Sequence, residues 1–435
     1  MIIYWIAKSS FPVYFNLTII LLQLIIVCYV CKNLIQNKTI TVKCDSIKKE
    51  MNFTLYTYLI PVLIALVIAV ILTNKIVKID LTEIRYPEID GLRGYLAFFV
   101  FLHHSYIWRF FLQSNEWNEP ESNLFNQFGQ TTVAFFFVIT AFLFTTKLIN
   151  SKTKQIDWTE YIKARFYRLF PMYFFSVLVI FFIVAYLTGF TAQVPFLENL
   201  KSILSWIFFN VRKDLDINGL ENSRILNAGI TWTLPYEWVF YFLLPLIALF
   251  FKIKVNYKTL FIFLAAAAIT MIINKSSLRH FIPFIGGICV ALLIDSKRFE
   301  TVLKQKKYAV LSLILLLISV YFFHSGRKPV PIIITSIVFL IVASGNNFFG
   351  LLSSAFSRKF GQVTYSLYLI HGIVLYILFN FVIGIEKAKT LTDWEFWLII
   401  AASVFPLIFI CQLTFKYIEL PLMNLAKAKS AKTKK

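Results

Sequence analysis

Repeated apolar runs of about 17 to 22 residues constrain this chain more than any other feature, because segments of that length cross a hydrocarbon core as helices. The composition agrees. Hydrophobic residues make up 59% of the chain, 47 of its 435 residues are Phe, and the mean hydropathy is +0.73, more than a water-soluble core accounts for. Spans are predicted near 11–31, 54–73, 93–112, 130–148, 171–190, 231–251, 258–273, 280–295, 308–323, 330–345, 362–383 and 396–415. The predicted fold is all-α, a polytopic transmembrane helix bundle of about 12 spans. The longest stretch outside these spans is about residues 191–230, so any chemistry belongs in or at the membrane. Within it, residues 199–211 read as a partly amphipathic piece lying along the outer interface.

The net charge of +21 invites a nucleic-acid reading, but the basic residues are dispersed among membrane-flanking loops without a binding motif. Topology and attraction to anionic lipid heads account for them. Loops 147–170, 252–258 and 295–307 and the segment after 415 are rich in Lys and Arg, and all fall on one side of the predicted bundle. Both termini are therefore predicted cytoplasmic. Loop 32–53 is the misfit, with five Lys on the side assigned outside. Residues 1–85 read as a membrane hairpin of two spans, 86–424 as the membrane domain and 425–435 as a basic, disordered cytoplasmic tail. The five Cys supply neither a disulfide framework nor a metal pattern. Cys28 and Cys31 have CxxC spacing but lie in an apolar span without ligand partners, which favours packing. The N-terminal apolar stretch is too long for a signal peptide and is read as a retained anchor.

Ionisable residues inside spans are costly and point to function. Arg93 and His104 share one segment, Asp90-Gly-Leu-Arg-Gly94 through His104. Eleven residues at 100° each return a helix to within about 20° of its starting face, so His104 stands over Arg93, roughly 16 Å along the axis. A guanidinium at a cavity mouth and a deeper imidazole suit an anionic donor and a hydroxyl awaiting deprotonation. His103 is rotated about 100° away and reads as a packing residue. Arg165 and Arg168 share a helix face just before Pro171. They are able to clamp phosphates, although on spacing alone ordinary positive-inside anchoring is the simpler account. Glu237, in Thr231-Trp-Thr-Leu-Pro-Tyr-Glu237, needs a buried partner, for which Arg93 and His104 are the candidates. Trp232, Tyr236 and Trp238 suit an interfacial aromatic belt or a sugar face, and His371 a hydrogen-bonding or a site role. His280 and His324 read as interfacial.

Taken together, these segments resemble the type 3 acyltransferases, integral-membrane enzymes that O-acylate bacterial surface polysaccharides and related glycans. The resemblance covers roughly residues 86–424. It rests on Asp90-Gly-Leu-Arg-Gly94 with His104, Phe135-Phe-Phe-Val-Ile-Thr-Ala-Phe142, Arg165-x-x-Arg168 with Pro171, and Trp232-Thr-Leu-Pro-Tyr-Glu237 followed by Phe240-Tyr241. Tyr365-Ser-Leu-Tyr-Leu-Ile-His371 and Glu419-x-Pro421 complete it. Ala141 stands where the family has Gly, and Trp238 where it has a second acidic residue. Two extra spans precede a ten-helix acyltransferase core, and no esterase-like domain is fused.

The resemblance implies an acyl-CoA donor, foremost acetyl-CoA, entering from the cytoplasm, with no bound cofactor and no metal. It implies Arg165 and Arg168 on the donor's phosphates and His104, Arg93 and Glu237 as the catalytic set. His104 either takes the proton of a sugar hydroxyl or relays the acyl group itself. Asp90, Trp232, Tyr236 and His371 are then supporting or acceptor-binding residues. The implied acceptor is a cell-surface or lipid-linked glycan of O-antigen, capsule or exopolysaccharide type, and the implied location a bacterial inner membrane. The competing class is a glycan flippase or polymerase, which would not depend on acyl-CoA.

Overall fold

The computed structural model describes residues 58–73, 86–151, 156–209 and 216–432. Every extended element among them is helical. In chain order they are α1 (Leu59–Thr73), α2 (Pro87–Ser114), α3 (Asn123–Ile149), α4 (Trp158–Leu187), α5 (Phe196–Ile207), α6 (Thr233–Phe250) and α7 (Tyr257–Ile273). There follow α8 (Ile282–Asp295), α9 (Lys306–Phe322), α10 (Pro329–Ala343), α11 (Ala355–Gln362), α12 (Thr364–Ile377), α13 (Asp393–Thr414) and α14 (Leu420–Lys432).

The twelve-span expectation is overturned. Among the described residues, 6 helical stretches are long and apolar enough to cross a membrane: Asn123–Ile149, Trp158–Leu187, Ile230–Phe250, Leu278–Asp295, Thr364–Val382 and Asp393–Ala426. The expected spans near 54–73, 258–273, 308–323 and 330–345 emerge as helices of 15, 17, 17 and 15 residues. At 1.5 Å per residue these reach only about 22 to 26 Å, short of a core about 30 Å thick. Helix α2 has the length, at 28 residues, but Glu88, Asp90, Arg93, His103, His104 and Arg109 dilute its apolarity. The expected span 11–31, with Cys28 and Cys31, lies outside the described residues, as does loop 32–53. The Lys-rich end also differs from expectation: its backbone is helical to Lys432, as a continuation of α14.

Local chemistry sets the helix boundaries that matter for function. Pro87 opens α2, where its missing N–H costs no hydrogen bond, and Asn115 closes it in the left-handed conformation at φ 60°. Helix α4 starts at Asp157, whose carboxylate accepts from the Thr159 and Glu160 amides at 2.9 and 3.0 Å. A capping box between Thr392 and Glu395 opens α13. A π-helical turn over Phe415–Glu419 then joins α13 to α14.

Glycines set how closely α2 approaches its neighbours. A Cβ on Gly91 would stand 2.0 Å from the Leu352 carbonyl oxygen, and one on Gly94 2.7 Å from the Phe360 ring. A Cβ on Gly361 of α11 would stand 1.8 Å from the Asp90 carbonyl oxygen. Small residues on both sides thus let the backbones of α2 and α11 touch, which is how helices pack inside a bilayer. Gly287 of α8 makes the same kind of approach to Val138 and Ala141 of α3. The position where the family resemblance expects Gly is therefore accommodated by a glycine across the interface.

Candidate active site

Helices α2, α4, α6 and α12 and the π-turn at Phe415–Glu419 converge on a polar interior in two layers. The inner layer is an imidazole pair. His104 on α2 is 8% exposed and His371 on α12 fully buried, with His371 Nε2 3.0 Å from His104 Nδ1. The protons can be assigned from the surroundings. His371 Nδ1 lies 3.0 Å from the Leu367 carbonyl oxygen, which only accepts, so in the neutral ring Nδ1 carries the hydrogen and Nε2 the lone pair. That lone pair accepts the His104 Nδ1–H, which it shares with the Val100 carbonyl oxygen at 3.0 Å. His104 Nε2 is left unprotonated, a base whose tautomer is set by a residue 267 positions away. His103 packs beside this pair, its Nδ1 donating to the Phe125 carbonyl oxygen at 2.8 Å and its ring 4.8 Å from that of His104. Gly129 makes room for it, since a Cβ there would be 2.5 Å from the His103 ring.

The outer layer is a cluster of charges. Arg93, with its side chain 19% exposed, pairs with Asp90 at 3.6 Å and lies in the electrostatic field of Arg168, Glu237 and Glu419. Glu237 accepts the Tyr241 hydroxyl hydrogen bond, one helical turn on, and faces Arg165, Arg168 and Arg93. Glu419, 5% exposed, accepts from the Ser366 hydroxyl and also faces Arg168 and Arg93. The Thr414 hydroxyl donates in turn to Ser366 at 3.0 Å. Buried guanidiniums and carboxylates persist together because each offsets the desolvation of the others. Arg165 rests on the Phe144 ring at 5.0 Å, and the Tyr365 hydroxyl ties α12 to α4 through the Leu169 carbonyl oxygen at 2.8 Å.

The structure therefore brings Arg93, Asp90, Arg165, Arg168 and Glu237 together, and places His371 on His104. Glu237 is not the partner of the His104 imidazole; its hydroxyl partner is Tyr241, and its field is that of the arginines. Trp232 and Tyr236 lie apart from both layers. Trp232 lies against Arg327, 5.3 Å from its ring, and His280 at 4.9 Å. The Tyr236 hydroxyl accepts the Ser277 amide at 2.8 Å and meets His280 Nδ1 at 3.0 Å. His324 bridges Asn123 and Asn126 at 2.9 Å each. Tyr368 connects this end to the imidazole pair: its hydroxyl is 2.8 Å from Thr233 Oγ1, and its ring is 6.2 Å from His371. Among the described residues, no three His, Cys, Asp or Glu side chains group to hold a metal ion.

Sequence reading missed Tyr241 and Glu419 as members of the charge cluster. The four-residue spacing from Glu237 to Tyr241 puts them on one helix face and was the available signal. Glu419 was visible only as the acidic residue of Glu419-x-Pro421, because a π-turn decides which way it faces.

A family model described as an acyltransferase domain matches residues 86–415. The chain belongs to the type 3 acyltransferase family. The matched segment contains both layers of the site except Glu419, and family membership supports acyl transfer onto a membrane substrate with a donor of the acyl-CoA kind. The 6 long apolar helices make this acyltransferase a multi-pass membrane protein. No curated protein and no solved structure matches the chain.

Proposed function

We propose that this acyltransferase moves an acetyl group from acetyl-CoA to a hydroxyl of a cell-surface or lipid-linked glycan. The observation that carries the reading is the His104–His371 pair, which leaves His104 Nε2 as a base on the helix that also carries Arg93. At 1.5 Å per residue, His104 stands roughly 16 Å along α2 from Arg93. Arg165 and Arg168, with Arg93, receive the donor's phosphates at the Lys- and Arg-rich end of the bundle, and the thioester extends inward to His104. A glycan hydroxyl then attacks the thioester carbonyl. Its proton passes to His104 Nε2, the new C–O bond forms, the C–S bond breaks, and the same proton leaves with the CoA thiol. The products are the O-acetyl glycan and CoA, and His104 returns to its starting tautomer.

The basic end of the bundle faces the cytoplasm of a bacterium in this reading, with the protein in the inner membrane. In this reading 86–424 is the catalytic domain, against which α1 of the preceding segment packs through α13, and 425–435 is a cytoplasmic basic extension. Membrane lipids surround the bundle, and Trp232 and Tyr236 face the acceptor at the other end.

Dependence on acyl-CoA tests this function against a flippase or polymerase. Membranes containing the protein and the producing strain's own glycan should transfer label from acetyl-CoA into the glycan fraction. Glycan export or polymerisation that proceeds unchanged without any acyl-CoA, with no label incorporated, would reject the acyltransferase reading.

A further inference from the structure

The amphipathic helix α5 has no part in the reaction above. One side of it is fixed to the bundle: Ser202 and Trp206 are buried, and the Tyr173 hydroxyl of α4 donates to the Trp206 carbonyl oxygen. The opposite side carries Leu197, Leu200, Leu204 and Phe208, 36 to 77% exposed. Spaced three or four apart, they form one apolar stripe. Across from this stripe stands the end of α7, and the two helices border a cleft of about 600 Å³. Ala267 is the one buried residue of α7. Its Phe261, Ile269 and Ile272 are exposed, an apolar surface that marks contact with a membrane, so the cleft opens to lipid. Lys201 lies in the lining and has no carboxylate partner among the described residues. Glu198, three residues before it, is not part of the lining. An apolar slot open to the bilayer, with a cation in its wall, is complementary to a lipid whose head is anionic.

Position decides which lipid. Arg165 and Arg168 lie near the start of α4, whose 30 residues carry the backbone to the other end of the bundle, where α5 begins. Asn274 of the cleft wall is three residues from Ser277, whose amide donates to the Tyr236 hydroxyl at 2.8 Å. At most about 11 Å of backbone therefore separates the cleft from the aromatic rings of Tyr236 and Trp232, which lie 5.8 Å apart. We infer that the cleft between α5 and α7 seats a long-chain lipid phosphate, its tail along the Leu stripe and its phosphate at Lys201, and that the sugar on this phosphate is the acceptor. This assignment rests on the glycan acyltransferase reading above. It makes the lipid-linked form, rather than the finished surface polymer, the substrate.

Photoreactive polyprenyl phosphate in nanodiscs with the full-length protein tests it, with phosphate-free polyprenol and phosphatidylglycerol as comparison probes. The phosphate probe should label peptides covering 196–208 and 270–274. Lys201→Gln should need about fivefold more of it for half-maximal labelling, the worth of one Lys at an anionic lipid head, with polyprenol labelling unchanged. In membranes the same variant should raise the KM for the producing strain's lipid-linked glycan by a similar factor and leave the acetyl-CoA KM at the wild-type value. Equal labelling of the cleft by all three lipids, unaltered in Lys201→Gln, would overturn the site and leave it to bulk lipid. Acetyl transfer by the wild type to lipid-free polymer alone would overturn the lipid-linked acceptor while the acyltransferase reading stands. A wild-type protein that labels as expected but transfers no acetyl group would instead reject the acyltransferase reading, an outcome distinct from the other two.

Discussion

His371 gives His104 its direction. Removing it frees the His104 ring to take either tautomer and to rotate, so His371→Ala should lower kcat at least about tenfold while leaving the donor KM unchanged. His371→Gln, whose amide oxygen can accept the Nδ1–H of His104, should recover part of that loss. A fully active Ala variant would show that His371 only packs. Glu237 behaves differently because its neighbours are arginines. Glu237→Gln should raise the donor KM several-fold with a smaller effect on kcat, and steady-state kinetics separate the two parameters. Residues that work through a helical repeat were legible in sequence: the eleven-residue step from Arg93 to His104 needs only the geometry of α2. The partner of His104 was not, since no local rule connects residues 267 positions apart. For the same reason sequence offers Glu237 as a holder of the imidazole, whereas its neighbours in the fold are Tyr241 and the arginines.

At the scale of elements, the close contact between α2 and α11 holds Arg93 in place. A methyl group at Gly361 would meet the Asp90 carbonyl oxygen at 1.8 Å, backbone that cannot move without shifting the helix carrying Arg93. Gly361→Ala should therefore destabilise the protein by about 1–3 kcal/mol, seen as a lower thermal midpoint in detergent, and should weaken donor binding as well. A midpoint and donor affinity equal to wild type would mean that the two helices separate freely. The glycines of Asp90-Gly-Leu-Arg-Gly94 were visible as a motif, but their packing role becomes evident only when α11 lies against them. Helix number was the less legible property. Turns and caps trim the runs that announced α1 and α10, and α7 and α9 follow their runs closely but those runs are themselves too short to cross. The reverse holds for α2, whose functional charges lower its apolarity although it is among the longest helices.

Across the described residues, polar side chains form a series enclosed by apolar helices, with Arg93, Arg165 and Arg168 at one end, the imidazoles midway and Trp232 with Arg327 at the other. This arrangement predicts a sidedness. A cysteine at Ser151, beside the arginine end, should react with a membrane-impermeant thiol reagent only from the cytoplasmic face, and one at Glu119 only from the opposite face. Reaction of both from one face would contradict a donor and an acceptor arriving from opposite ends. The central claim is that acyl transfer passes through His104, and it is tested most directly by following labelled acetyl from acetyl-CoA into the glycan fraction of membranes with equal amounts of wild-type and His104→Ala protein. Loss of a general base predicts a fall of about 10²- to 10⁴-fold in the variant. Label transferred by His104→Ala at the wild-type rate would contradict the account.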